Sequence, residues 1–251
     1  MLFSVVVIVV LIWIIKECRE LHQFAYEGSI QELQTLNQTV VQESLKTKNP
    51  LLIHNVPIRT LAIPDILEHN PGYILNDHSK YILLDKFKDE ASMAIYRSPK
   101  LSEDLGYTGD LLALGKPFET SLTCGARTSL SLYKGFHTVP VSECTHTVNM
   151  LLVLSGTAIV YLVNPKHKDE IRAAGEGQGG REGKREGKGK GEGKDNNQAI
   201  KKWSHKVVLK PGLLLYIPSN WFSFYECKGS TVIGTYDSDT YPTYLYNLLR
   251  S

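Results

Sequence analysis

The sequence predicts a mainly β protein with flanking helices, an antiparallel sandwich or small barrel, on three observations. Between residues 128 and 237 short apolar runs recur, divided by Ser155-Gly156-Thr157, Pro211-Gly212, Pro218-Ser219-Asn220 and Lys228-Gly229-Ser230. Runs of this length, broken by turn residues at this spacing, read as strands. "TSLSLYKG" (128–135) alternates polar and apolar residues, the mark of a half-buried strand. Helical signals are confined to the first half of the chain and its last residues.

The first element is "MLFSVVVIVVLIWIIKECRE", uncharged from Leu2 to Ile15. At ~1.5 Å per residue that run covers about 21 Å of a hydrocarbon core about 30 Å thick, so Met1 and a snorkelling Lys16 complete it. No basic residue precedes the run and no small-x-small site follows it, which argues against a cleaved signal peptide. Residues 1–17 are therefore read as a single-pass transmembrane anchor. Lys16 and Arg19 after it place the body in the cytosol. Asn37-Gln38-Thr39 is a glycosylation acceptor in the opposite orientation.

Residues 18–47 read as an amphipathic helical linker. Within it, 29–46 carry a Ser29/Glu32 capping box and apolar residues at Ile30, Leu33, Leu36, Val40, Val41 and Leu45. Asn49-Pro50 stops that helix. "LLIHNV" (51–56) is a short buried strand. "IPDILEHNPGY" (63–73) is a brief helix opened by Pro64 and closed by Asn70-Pro71-Gly72. Residues 80–87 and 91–97 read as strands, and 101–115 mix turn and helix signals.

In the second half, 148–165 read as a hairpin around Ser155-Gly156-Thr157, and 211–226 as a hairpin around Pro218-Ser219-Asn220. Residues 173–198 form a Gly/Lys/Glu-rich insertion, expected to be disordered because its composition buries no core. "YPTYLYNLLRS" closes the chain as an aromatic helix, packed on the body or on a second copy.

Length and charge bound the function. The chain has 251 residues, enough for one large domain, here 48–251. A net charge of +2 gives no basic field for nucleic acid, and the glutamates of the insertion dilute its lysines. Four cysteines with no CxxC spacing suggest neither a zinc site nor a redox pair.

"NMLLVLSGTAIVYLVNP" followed by "VVLKPGLLLYIPSNWFSFYE" resembles the cupin-like, JmjC-type oxygenase domain, and is similar to the membrane-anchored cupin-like proteins of large DNA viruses and some protists. The resemblance covers about residues 48–240. It implies a double-stranded β-helix (cupin or jelly-roll-like). It also implies an iron held by His-x-Asp/Glu and a distant His, with 2-oxoglutarate on a basic residue. Mapped onto this chain, the first pair falls at Glu143-Cys144-Thr145, the basic residue at Ala158 and the distal His at Ser223. A slip of one residue presents Ser142 and Cys144 instead. The ligand positions are thus degenerate, and no catalytic, cofactor or metal residue is assigned.

Other candidates are weaker. His137, Glu143, Cys144 and His146 cluster in "HTVPVSECTH" and define the alternative, an Fe/2-oxoglutarate-type oxygenase with a relocated site. His54 and His205 stand alone. Ser223 lacks the Gly-x-Ser-x-Gly context of a nucleophile. The expectation is a membrane-anchored, cupin-like binding or structural module, with a protein partner or a second copy docked through the C-terminal aromatic helix.

Overall fold

The computed structural model describes residues 29–70, 72–77, 80–176 and 200–250, together with Ile8 and Ile12, both helical. The anchor assigned to 1–17, and the Gly/Lys/Glu-rich insertion beyond residue 176, lie outside the described residues. Among the described residues no helix is long and apolar enough to cross a membrane.

The chain is mainly β. Among the described residues thirteen strands fall in order as β1 (Gln31–Leu33), β2 (Leu51–Ile53), β3 (Ile74–Asp77), β4 (Lys80–Leu83), β5 (Met93–Ser98), β6 (Thr123–Lys134), β7 (His137–Glu143), β8 (Val148–Ser155), β9 (Ala158–Val163), β10 (Ser204–Leu209), β11 (Leu214–Pro218), β12 (Phe222–Cys227) and β13 (Thr231–Thr240). A seven-stranded sheet runs β1-β2-β11-β8-β13-β6-β5, a four-stranded sheet runs β10-β9-β12-β7, and β3 pairs with β4.

The two large sheets enclose an apolar interior that includes Leu151, Val153, Val160, Leu162, Leu215, Ile217 and Trp221. A second core covers the outer face of the seven-stranded sheet. Helices α1 (Gln38–Thr47), α2 (Ile63–His69), α4 (Pro99–Asp104) and α5 (Thr108–Gly115) pack there, as does Phe87 of the short helix α3 (Lys86–Asp89). A third cluster lies on the outer face of the four-stranded sheet, where Phe222, Phe224 and Tyr161 meet Ile200 and Ile171 of α6 (Lys168–Glu176). Strands β8, β9 and β11 are thus covered on both faces, so their sequences are unbroken apolar runs rather than alternations.

This layering corrects both hairpins. β8 and β9 belong to different sheets, as do β11 and β12. Each tight turn passes the chain from one layer to the other. At the first, Gly156 has φ +79, and a Cβ there would sit 2.3 Å from the Ser230 carbonyl oxygen. Only glycine serves at such a site.

The helix expected over 29–46 is shorter. Asn37 caps it, its side chain accepting from the Thr39 and Val40 amides. Residues 31–33 instead form β1, parallel to Leu51–Ile53. The stretch read as a linker therefore contributes an edge strand and a helix to the body, and Gln42 Nε2 donates to the Pro117 carbonyl at 2.9 Å. Residues 80–87 divide into β4 and α3, and 101–115 resolve into the end of α4 and α5. The C-terminal helix α7 (Tyr241–Arg250) folds back on the body. Buried Thr243 accepts from the Thr147 hydroxyl at 2.8 Å, and Asn247 donates to the Thr145 carbonyl at 3.1 Å.

Candidate functional site

β7 carries the first two positions singled out by sequence, and its register decides where they point. Ser142 opposes Ser223, but Val139 opposes Tyr225, so β7 holds one extra residue between them. Pro140 lies in this bulge on an edge strand, where a residue without an N–H is tolerated. One extra residue reverses which side chains face inward. Glu143, opposite Phe222, turns to the outer face, and Lys168 Nζ lies 3.0 Å from its carboxylate. Cys144 turns into the interior, and its sulfur lies 3.6 Å from Ser223 Oγ. Ser142 shares the face of Ser223 but stands exposed at the sheet edge.

The remaining assigned positions follow. Thr145 leaves the ladder, and its carbonyl accepts from Asn247. Ala158 is buried in the apolar interior, opposite Leu209 and Cys227. Burial pushes the Cys144 thiol up to about 11, against the opposing pull of Ser223 and Arg97. It is therefore protonated at neutral pH and a poor nucleophile. Two hydroxyls and a neutral thiol do not form the two-imidazole, one-carboxylate set that non-haem iron requires. Among the described residues no group of three His, Cys, Asp or Glu could hold a metal ion.

The HTVPVSECTH cluster is also dispersed. His137 Nε2 lies 2.8 Å from the Lys134 carbonyl, and His146 Nδ1 lies 2.8 Å from Asp239 Oδ2. With Glu143 on the outer face, the three do not converge. His54 lies 3.4 Å from Glu32, and His205 sits opposite Leu162 on β10.

The interior has a polar half that sequence reasoning missed. On β13, Ile233 faces inward, and Thr235, Asp237 and Asp239 continue that face at a spacing of two. Opposite them on β6 stand Ser129, Arg127 and Gly125. Asn149 of β8 donates to Asp237 Oδ1. Arg97 completes the cluster: its Nη1 lies 3.1 Å from Asp237 Oδ2, and its amide donates to Ser131 Oγ at 2.8 Å.

Arg97 adopts φ +44, left-handed for a side chain that disfavours it, at the irregularity between β5 and β6. Such a conformation costs on the order of 1–3 kcal/mol and persists where surrounding contacts hold it. Here the Ser131 and Asp237 contacts supply that restraint. Burial is the largest single influence and disfavours the guanidinium charge, but Asp237, with smaller help from Tyr96, Tyr225 and Cys144, holds Arg97 above its ordinary value. Deeper in, the Tyr133 and Tyr225 hydroxyls bond at 2.8 Å.

At the outer end of this band lies a cleft of about 390 Å³, lined by Arg127, Thr145, His146, Asp239, Tyr244, Asn247 and Leu248. The Asp239 side chain is 10% exposed. Its Oδ2 holds His146, while its Oδ1 is buried and has no partner among the described residues.

The hydrogen bond to Asp239 raises the His146 pKa, against the desolvation that lowers it, with Asp237 reinforcing and Arg97 opposing. A raised folded-state value means this contribution is complete below the unfolded pKa of about 6.5. It is lost as pH rises through the folded value. We predict that unfolding free energy, measured by urea titration, falls across that window relative to His146→Gln, which removes the slope. A difference between the two proteins that is independent of pH would refute the ion pair.

The sequence signal for this band was present but unused. "RTSLS" (127–131) and "TYDSDT" (235–240) place polar residues two apart on neighbouring strands, against the grain of an apolar interior. The chain matches no protein-family model and no curated protein sequence.

Proposed function

We propose that the chain is a cupin-like, double-stranded β-helix domain that acts as a non-catalytic binding or structural module. From β6 to β13, consecutive strands change sheet at every step but one, giving β6-β13-β8-β11 in one layer and β7-β12-β9-β10 in the other. That alternation supports the jelly-roll reading. The observation that carries the functional reading is the Cys144–Ser223 contact. It fills the interior position of the distal ligand with a buried thiol and a hydroxyl.

Where the resemblance implies a basic anchor for 2-oxoglutarate there is Ala158. Arg97, a cation that reaches this interior, is paired with Asp237. The alternative oxygenase with a relocated site loses its donors, because Glu143, His137 and His146 each answer to a different neighbour. In the same reading, residues 1–17 tether the body to a membrane on its cytosolic side. The exposed face of α7, with Tyr241, Leu245 and Leu248, docks a protein partner or a second copy.

The test is elemental analysis of the full chain in mild detergent after reconstitution with iron, manganese and zinc, with 2-oxoglutarate binding followed in the same sample. Substoichiometric metal and no 2-oxoglutarate binding are expected. Near-stoichiometric metal that disappears in Cys144→Ala or His146→Ala would overturn the reading.

A further inference from the structure

We propose that the outward face of α7 pairs with the same face of a second copy of this chain. The proposal rests on the tethered-module reading above and commits its docking face to one occupant.

Three observations converge. The first is an inverted helix. Thr243 and Asn247, one turn apart, point at the body: Thr243 is buried and accepts from Thr147, and Asn247 donates to the Thr145 carbonyl. Tyr241, Tyr244, Leu245 and Leu248, at the i, i+3, i+4, i+7 spacing of one helix face, are each about half exposed. A helix that only covers its own body turns these two sets the other way. Among the described residues no other element of the body leaves more than one large apolar side chain exposed. A contiguous apolar stripe of this kind marks an interaction surface.

The second is complementarity. The stripe holds no charged residue, so a two-fold axis lays it on itself with no like-charge cost. Tyr244 and Leu248 also wall the cleft of about 390 Å³, which gives a side chain of the second copy a recess to enter. A lipid surface fits less well. Helices that lie in a membrane interface turn a polar face rich in lysine and arginine to the headgroups. The polar face of α7 is Thr243 and Asn247, and the body occupies it.

The third is where the tether enters. Gln31 pairs with Leu51, Leu51 with Tyr216, Tyr216 with Met150 and Met150 with Tyr236. Gln31 therefore shares a row with Tyr236, four strand steps or about 19 Å away. β1 runs opposite to β13, so residues 18–30 approach β1 from the end of the sheet that carries α7. In the tethered reading, two copies on one membrane hold α7 at the same height, an arrangement that a two-fold axis along the membrane normal preserves. A ten-residue helix covers only about 15 by 10 Å, a fraction of the roughly 800 Å² per partner of a stable dimer in solution. Confinement to a membrane raises the effective concentration and makes up the difference.

Photo-crosslinking of the full chain in phosphatidylcholine vesicles tests the proposal. The crosslinker p-benzoylphenylalanine replaces Tyr244, and the vesicles are floated on a density gradient and irradiated. A covalent band at twice the chain mass is expected. Tyr241→Glu with Leu245→Glu is expected to lower its yield about tenfold or more, because two carboxylates must leave water in the contact. Both positions are exposed, and an unchanged melting temperature shows that the variant is folded. The same crosslinker at Trp203, exposed just before β10, is expected to give no such band. A lipid adduct at Tyr244 in place of the dimer band, equal yields from Tyr244 and Trp203, or indifference to the two glutamates would each overturn the proposal. A chain that floats with the vesicles and forms no dimer band overturns it too, and leaves the tether standing. A chain that fails to float but still crosslinks through Tyr244 overturns the tether, and leaves the pairing of α7 standing.

Discussion

Asp237→Ala is expected to lower the unfolding free energy by about 3 kcal/mol or more, because it strands the Arg97 guanidinium in the interior. Asp237 accepts from both Arg97 and Asn149, and its side chain is 10% exposed. Arg97 itself is 28% exposed, enough for some solvent to reach it and not enough to replace the partner. The double variant Arg97→Met with Asp237→Leu removes both charges and is expected to recover most of the loss, since a buried pair replaced by apolar groups is often close to neutral. Urea denaturation of the wild type, both single variants and the double variant closes the cycle. If the double variant is as unstable as the sum of the singles, the two residues are not coupled and the ionic cluster is misassigned.

Trp221→Ala is expected to cost about 3–5 kcal/mol, the range for removing a large buried aromatic. Trp221 is 1% exposed and sits at the corner where β11 passes to β12. Its indole donates to the Lys48 carbonyl at 3.1 Å, and its own carbonyl accepts from the Cys144 amide at 2.8 Å. One side chain thus ties the sandwich interior to the end of α1. Trp221→Phe keeps most of the apolar volume and loses the indole donor, for an expected cost of about 1–2 kcal/mol. Equal midpoints for Trp221→Ala and wild type in thermal melts would show that the corner is held by other contacts.

Strand content was legible because turn residues and apolar runs are local signals, whereas strand partners are not. The two supposed hairpins had the right strands and the right turns. What sequence could not show is that each run is buried on both faces, and therefore that its neighbours across the turn belong to another layer. β7 carries no strand signal in the sequence for a related reason. The bulge at Pro140-Val141 breaks the period-two pattern, so the strand signal fails where the geometry matters most. The same single extra residue turned Glu143 outward and Cys144 inward, an outcome that the spacing of a motif does not predict. Ser29 and Glu32 formed a good capping box on paper, but Asn37 wins the cap, and β pairing to Leu51–Ile53 claims the residues between. The polar band was obscured because Ser238 and Thr240 alternate with Asp237 and Asp239, so the strand looks polar on both faces. Arg97 reaches it only through a left-handed backbone that no propensity favours.

The sheet-changing turns have a kinetic consequence. Most neighbours in each layer come from distant parts of the chain: β2 beside β11, β8 beside β13, β6 beside β13. Neither layer can be completed from one continuous stretch, so neither half of the protein is a viable folding unit by itself. The chain must hold long loops closed before the pairings that stabilise them exist, which places it among slow, cooperative folders. From β6 onward the consecutive pair that stays in one layer is β9–β10, with Val163 directly opposite Ser204. That ladder brings the two ends of the intervening segment together. It is the junction where extra chain length adds least to the search, and it is where the Gly/Lys/Glu-rich insertion lies in the sequence.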